Sequence, residues 1–219
     1  AKASAVVVVT PGTKPTTPGT LNGGDGDFKN FDVMGQPSNE DVNEGEEVEV
    51  LGFDFDADDS DLMVERVDFT LKSGTKKPWK FFTEAKLMYN GDEVASIDAS
   101  DSDEWDETST SGEYEATFTG VDAVVEEGET GEFTIVVVAD DVDDSDLPLT
   151  WTISLTSDGV RAVNGDGINV YEGSTSDSET FTLQTPDAGA LDITVKSSDN
   201  KDQTVEVDAD TDTEDVLVY

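Results

Sequence analysis

The residues of this sequence that could do chemistry are mainly closely spaced carboxylates. The pattern D-x-D-D-S-D-L occurs over 56–62 and again, 85 residues later, over 141–147. Calcium takes six to eight oxygen ligands, many of them from Asp, and its binding loops place carboxylates one or two residues apart. The pattern therefore predicts two candidate calcium sites. Their ligands would be Asp56, Asp58, Asp59, Asp61, Asp141, Asp143, Asp144 and Asp146.

The same residues have a purely structural interpretation. Both copies lack the glycine at position 6 of an EF-hand loop, and both lack its glutamate at position 12. The chain holds 52 acidic residues, so acidic turns are expected whether or not they bind metal. A third acidic cluster lies in the Ser/Thr-rich stretch 98–112. The sequence alone leaves both interpretations open.

The charge and composition exclude several function classes. A formal net charge of −40 repels phosphate backbones and anionic membranes, so we expect no nucleic-acid partner and no membrane insertion. Without Cys or His, the chain lacks thiol and imidazole nucleophiles and the usual zinc ligands. Carboxylate pairs could serve a glycosidase, but among 52 acids some pair always has a suitable spacing. We therefore predict that the protein is not an enzyme.

Alternating apolar residues predict an all-β fold. The alternation is clear over 64–71, 114–118, 133–137 and 149–155, and turn signals recur every 8–15 residues. Each D-x-D-D-S-D-L copy lies between two such runs, which predicts a strand, an acidic turn and a strand used twice. We further expect a bulge at Gly52 and a hairpin at Asn90-Gly91, and only 79–89 is compatible with a short helix.

The chain divides into three predicted regions. Residues 1–35 are expected to form an extended Pro/Gly/Thr-rich arm, 36–186 an antiparallel sandwich, and 187–219 an additional C-terminal β segment. The last of these could belong to a second module or continue beyond Tyr219. Four consecutive valines in the arm favour a strand that pairs with a neighbouring subunit, although a disordered leader is equally compatible.

A lysine-rich, aromatic stretch over 72–86 is a second candidate for subunit contact, since it could accept an acidic surface of another copy. It could equally be an edge hairpin whose lysines prevent aggregation. The predicted assembly residues are Val6, Val7, Val8, Val9, Lys76, Lys77, Trp79, Lys80, Val216 and Val218.

Three segments carry a resemblance to a known class of module. They are 44–71, which begins E-G-E-E-V-E-V and contains the first acidic copy, 85–95, which reads A-K-L-M-Y-N-G-D-E-V-A, and 114–135, which begins Y-E-A-T-F-T-G. Together with their spacing, they resemble the Ig-like β-sandwich modules of prokaryotic and phage surface proteins, such as S-layer-like proteins, adhesins, fibres and virion decorations. The resemblance covers roughly 44–183. It implies a passive building block, transfers no catalytic residues, and places both acidic turns in one sandwich.

The expected function is that of a self-assembling structural protein of an extracellular, cell or virion surface. Its partners would be copies of itself or other surface or virion structural proteins, with calcium relieving the repulsion between subunits. The alternative is an adhesin or carbohydrate-binding module of a larger surface protein, which would need exposed aromatics such as Trp79 or Trp105. A calcium-tuned spacer is a third hypothesis.

Overall fold

The computed structural model describes residues 21–142 and 146–184, which form two packed β-sheets. This confirms the predicted all-β sandwich. The reason is the alternation of the sequence: along strands such as Glu113–Val125, every second residue is buried over most of the length. Such strands can bury one face only by packing against a second sheet.

The first sheet has five strands in the order β1-β3-β9-β5-β6, all paired antiparallel. Its strands are β1 (Gly23–Val33), β3 (Glu47–Ser60), β5 (Phe82–Tyr89), β6 (Asp92–Ile97) and β9 (Thr130–Ala139).

The second sheet has seven strands in the order β2-β12-β10-β4-β8-β7, and β11 pairs with the far half of β10. Its strands are β2 (Glu40–Val42), β4 (Leu62–Lys72), β7 (Asp106–Glu107), β8 (Glu113–Val125), β10 (Leu149–Val163), β11 (Asn169–Glu172) and β12 (Ser178–Leu183). The β2–β12 pair is parallel, and the other pairs of this sheet are antiparallel.

Aromatic rings fill the space between the sheets. On the inner face of the five-stranded sheet, the ring of Phe133 stacks on Phe53 at 5.2 Å and on Tyr89 at 4.8 Å between centroids. Trp151 of the opposite sheet is fully buried and meets Phe82 edge to face. These contacts join four strands, β3, β5, β9 and β10, through one core.

The repeated sequence unit has one topological role and two local structures. After the first copy the chain crosses from β3 to β4, and after the second from β9 to β10, in each case from the five-stranded to the seven-stranded sheet. The described residues of the second copy, 141–142 and 146–147, lie in the connection, as predicted. The first does not, because β3 continues through Ser60, so the predicted acidic turn is wrong there. The added strand β1 explains the difference, since Lys29 pairs with Asp56 and Asp27 with Asp58.

The part of the predicted arm that the structure describes is also different from the expectation. Residues 23–33 form β1, an edge strand of the sandwich, rather than an extended tether. The physical reason is aromatic packing: the Phe28 ring meets Phe55 at 4.7 Å and the Phe31 ring stacks on Phe53 at 5.8 Å. The division of the remaining chain into arm, sandwich and C-terminal segment stays a prediction.

Three local predictions have mixed outcomes. The Asn90-Gly91 hairpin is confirmed, with φ of 49° and 85° at its two central residues, as a type I′ turn requires. The bulge in β3 lies at Val50 rather than at Gly52. Gly52 instead leaves room for the Met34 side chain, which a Cβ would meet. In place of a helix over 79–89, there is one 3-10 turn at Pro78–Lys80, followed by β5.

The described chain enters and leaves the sandwich at opposite ends. Gly23 pairs with Ser60, where β3 finishes and β4 begins. Leu183 pairs with Leu149, the first residue of β10, and this end of β10 also pairs with the last residue of β4, Lys72. Because β10 bulges between Leu155 and Val160, the two ends are about 40 Å apart along the strands, at ~3.3 Å per paired residue.

Candidate assembly surfaces

The first acidic copy is held by protein donors. Asp56 accepts hydrogen bonds from the Thr130 hydroxyl and the Asn30 amide, both 2.6 Å long. The Thr130 bond is the main reason that the pKa of Asp56 lies below its ordinary value, and the Asn30 bond adds to it. Asp58 forms an exposed ion pair with Lys29 at 3.1 Å.

Asp61 is the exception among these aspartates, because only 6% of its surface is exposed. Its carboxylate accepts bonds from the backbone N–H of Asn22 at 2.8 Å, the Asn22 amide at 3.0 Å and the backbone N–H of Glu127 at 2.9 Å. Burial alone would raise the pKa of Asp61, but these three bonds outweigh it and lower the pKa. The Asp61 carboxylate therefore joins three segments of the chain.

The second acidic copy is only partly described. Asp141 is exposed, Asp146 forms an ion pair with Lys76, and Asp143 and Asp144 lie outside the described residues. Within 21–142 and 146–184, no three acidic side chains come together in an arrangement that could hold a metal ion. Calcium binding stays a prediction.

One end of the sandwich, which we name the lysine end, consists of the described residues 72–80, 110–113, 140–142 and 146–149. Lys72 and Lys76 pair there with Glu113 and Asp146. Lys77 and Lys80 are exposed, and neither forms an ion pair with any described residue. The structure thus brings the four predicted residues Lys76, Lys77, Trp79 and Lys80 to one surface.

Close packing of two loops supports the lysine end. Gly112 has a φ of +75°, and a Cβ there would overlap the carbonyl oxygen of Gly74. We expect Gly112→Ala to lower the free energy of unfolding by about 2 kcal/mol, because it combines backbone strain with a steric clash. Gly91→Ala is the matched control, since Gly91 has a φ of +85° but open space around it. In urea unfolding, equal losses for the two variants would contradict the close approach.

The aromatic residues of this region pack against the protein's own core. Trp79 is partly buried and meets Tyr114 edge to face at 5.2 Å, with the Lys77 amine 5.1 Å from its ring centroid. Trp105 is only 5% exposed and donates its indole N–H to the Ala99 carbonyl. The hypothesis that Trp105 forms an exposed ligand platform is therefore wrong.

The opposite end, which we name the acidic end, consists of the turns 58–61, 126–129 and 164–167. Backbone and hydroxyl bonds hold the three turns together: Glu127 N–H donates to Asp61, and Gly165 N–H donates to the Ser60 hydroxyl at 2.8 Å. None of these turns contains a lysine or arginine. Their exposed carboxylates belong to Asp59, Glu126, Glu127, Glu129 and Asp166.

Lys86, the last cation of the predicted lysine stretch, lies away from the lysine end on the outer face of the five-stranded sheet. Its amine is 2.9 Å from a Glu47 oxygen and within 4.0 Å of Glu84 and Glu93. The hydrogen bond to Glu47 is the main cause of its raised pKa. Lys86 therefore stabilises its own subunit by connecting β3, β5 and β6.

The edges of the five-stranded sheet are the remaining candidates for subunit contact. At one edge, β1 contains three glycines and two register shifts, which make it irregular. At the other edge, β6 is six residues long, with Val94 as one extra residue. The predicted donor strands, represented by Val6, Val7, Val8, Val9, Val216 and Val218, lie outside the described residues.

Comparison with known proteins gives structural neighbours only. No family model matches the chain, and no curated protein matches it. A cohesin module of a Clostridium perfringens family 33 glycoside hydrolase shares 10% identity over 73% of this chain and 99% of its own, with a TM-score of 0.35. The major pilin subunit of Bacillus cereus shares 10% identity over 74% and 41%, with a TM-score of 0.24.

A further neighbour is AvmM, which catalyzes macrocyclization in alchivemycin A biosynthesis. It shares 10% identity over 75% of this chain and 92% of its own, with a TM-score of 0.37. These identities and TM-scores are too low to bear on function. In a separate respect, the described residues include no helix with the length and hydropathy needed to cross a bilayer.

Proposed function

We propose that this protein is a non-enzymatic, self-assembling structural protein of an extracellular or virion surface, whose subunits are joined by strand exchange. In this proposal, the arm segment Ala5–Thr10 of one copy adds to the β6 edge of a neighbour. Added strands gain affinity from main-chain hydrogen bonds and do not need a large apolar face.

The observation that carries the proposal is the β6 edge. β6 is the last strand in the order of the five-stranded sheet, so on one side its backbone pairs with no described strand, and β8 of the other sheet lies close to it without pairing. Its six residues match the six of Ala5–Thr10 in length. The other edges are less suitable acceptors: β1 has two register shifts against one in β6, β11 has four residues, β2 has three and β7 has two.

Charge favours the arm as the contacting segment. Residues 1–24 contain two lysines and no acidic residue, whereas all 52 acidic residues lie in the rest of the chain. Two sandwich bodies therefore repel each other, but the arm is attracted to the body of a neighbour. In the same proposal, calcium lowers the repulsion between bodies, so CaCl₂ should promote assembly more than NaCl of equal ionic strength does.

The adhesin or carbohydrate-binding hypothesis has less support. It depended on exposed aromatic residues, but Trp105 is buried and Trp79 packs against Tyr114.

Deletion of residues 1–20 tests the proposal. We expect the truncated chain to remain folded by circular dichroism and to stay monomeric in analytical ultracentrifugation, while the full chain forms filaments or lattices in electron microscopy. A full-length variant with Val7→Pro and Val9→Pro keeps both arm lysines but removes two backbone N–H groups that a paired strand donates. This variant should also stay monomeric. Intact assemblies from the truncated chain would contradict the proposal, as would a full chain that is monomeric at all concentrations.

A further inference from the structure

We infer that the arm of a free subunit docks on its own β11 edge and is held there until assembly transfers it to the β6 edge of a neighbour. This inference rests on the proposed strand exchange, and it assigns to β11 the control of that exchange.

β11 is an edge strand with exposed apolar side chains. On one side it pairs with β10, and on the other it pairs with no described strand, although β1 of the other sheet lies close to it. Among the described residues, the exposed large apolar side chains are Ile168 and Tyr171, at 51% and 46%. Tyr171 belongs to β11, and Ile168 immediately precedes it. Both side chains therefore lie at an edge that a further strand could cover.

The charge of β11 also distinguishes it from the other edge strands. β1, β2, β6 and β7 each contain at least two carboxylates, and charged side chains are a common protection of edges against pairing. In contrast, residues 167–171 are uncharged, and Glu172 is the one charged residue of β11. In a chain of net charge −40, an edge that is uncharged and apolar is a candidate contact surface.

The composition of the arm matches this edge. Its four consecutive valines, residues 6–9, are apolar and β-branched, and they equal β11 in number of residues. An added strand points its side chains alternately to the two faces of the sheet. Two valines would thus lie on the outer face beside Tyr171. The other two would lie on the inner face beside Val170, which is opposite the buried Ala162 and is itself partly buried.

The chain enters the sandwich beside β11. The Gly24 carbonyl accepts a hydrogen bond from the backbone N–H of Asp166 at 3.2 Å, and Asp166 precedes β11 by three residues. From Asp166 to the middle of β11 is about 13 Å at ~3.3 Å per residue. Residues 10–21 connect the valines to this point. At ~3.1 Å per residue in a polyproline-like conformation they reach about 37 Å, which is enough to return to the β11 edge.

The covalent connection decides which edge the arm occupies in dilute solution. Tethering gives the arm an effective concentration of roughly 1 mM at its own β11 edge, far above the concentration of neighbouring subunits. Docking on β11 is therefore favoured in a free subunit, although it offers four residues for pairing. β6 offers six, so the exchange is favoured once enough neighbours are present. The β11 edge thus sets a concentration threshold for assembly.

Substitution of the two exposed side chains tests the inference by the sign of its effect. A full chain with Ile168→Ser and Tyr171→Ser should hold its arm less tightly and release it for exchange. Its critical concentration for assembly, measured by light scattering, should fall at least ~5-fold below that of the wild type. If β11 were a contact between subunits, the same substitutions would raise the critical concentration. A raised or an unchanged critical concentration would overturn the inference.

Engineered cysteine pairs identify the occupant of β11, since the chain has no cysteine of its own. Asn169→Cys leaves both exposed apolar side chains in place, and it is combined with Val7→Cys or Val8→Cys to cover both faces of the added strand. One of these two full chains should form a disulfide within a single chain, because cross-strand neighbours lie within disulfide range. Its rate should not depend on protein concentration. A disulfide between two chains would assign β11 to the arm of a neighbour and overturn the inference.

Ser96→Cys on β6, combined with the same two valine substitutions, is the matched control. Its disulfide should join two chains and form above the critical concentration. Disulfides between chains at position 96, with none within a chain at position 169, would overturn docking on β11 and leave the proposed function intact. A disulfide within the chain at position 169 in a protein that never assembles would support the docked arm and contradict the proposed function. The absence of both disulfides contradicts both.

Discussion

Asp61→Asn should lower the free energy of unfolding by about 3 kcal/mol, although it changes one atom of the side chain. The carboxylate is buried and accepts three hydrogen bonds from Asn22 and Glu127. An amide offers one acceptor oxygen and turns an NH₂ group toward backbone donors, so buried N–H groups lose their partner. Urea unfolding at pH 7 measures the loss.

Asp58→Asn is the matched control from the same heptapeptide. Asp58 lies half-exposed and, among the described residues, pairs only with Lys29, so we expect a change below about 0.5–1 kcal/mol. Equal effects of the two substitutions would contradict a special role for Asp61.

The wild type and Asp61→Asn should also differ in their dependence on pH. Because the pKa of Asp61 is lower in the folded than in the unfolded chain, its contribution is present above the unfolded pKa, about 3.9. The contribution is lost as the pH falls through the lower, folded pKa. The stability difference between the two proteins should therefore be constant from pH 7 to about 5 and shrink below about 4. A difference that grows on acidification would show that the pKa shift has the opposite sign.

Phe133→Ala should be the most damaging single change in the core, with a loss of about 4 kcal/mol. The Phe133 side chain is fully buried and stacks on Phe53, Phe55 and Tyr89, so its removal leaves a cavity and breaks three ring contacts. Phe133→Leu should lose less, because most of the volume remains.

Tyr171→Ala serves as the surface control for this substitution. Tyr171 is 46% exposed on the edge strand β11, and we expect a change of about 0.5 kcal/mol or less. A comparable loss in chemical denaturation of the two variants would mean that Phe133 is not central to the core.

The sequence was sufficient to predict the regular strands but not the irregular strand β1. Strands such as β8 follow the alternation of apolar residues. In β1, however, the partly buried residues Phe28, Phe31 and Val33 do not keep a period of two. The reason is Asn30, whose φ of 52° places an extra residue in the strand and shifts the alternation. The apolar residues of β1 are also separated by Gly, Asp and Asn, which are common in loops, so the sequence of this strand resembles that of a loop.

The candidate assembly surfaces could also be predicted only in part from the sequence. The sequence singled out the lysines of 72–80, because their clustering is local. It could not separate Asp61 from its neighbours, since the burial of Asp61 depends on Asn22 and Glu127, which are 39 and 66 residues away. Likewise, the acidic end is assembled from three distant turns that only the fold brings together.

The entry and exit of the chain at opposite ends have a mechanical consequence. A tensile force applied to the chain on both sides of the sandwich would pull Gly23 and Leu183 apart, each along the axis of its own strand. Ladder hydrogen bonds lie perpendicular to the strands, so this force shears the β1–β3 and β12–β10 pairs with all their bonds loaded at once. Bonds that share a load fail together at a higher force than bonds opened one after another. Each subunit would therefore act as a stiff link under tension.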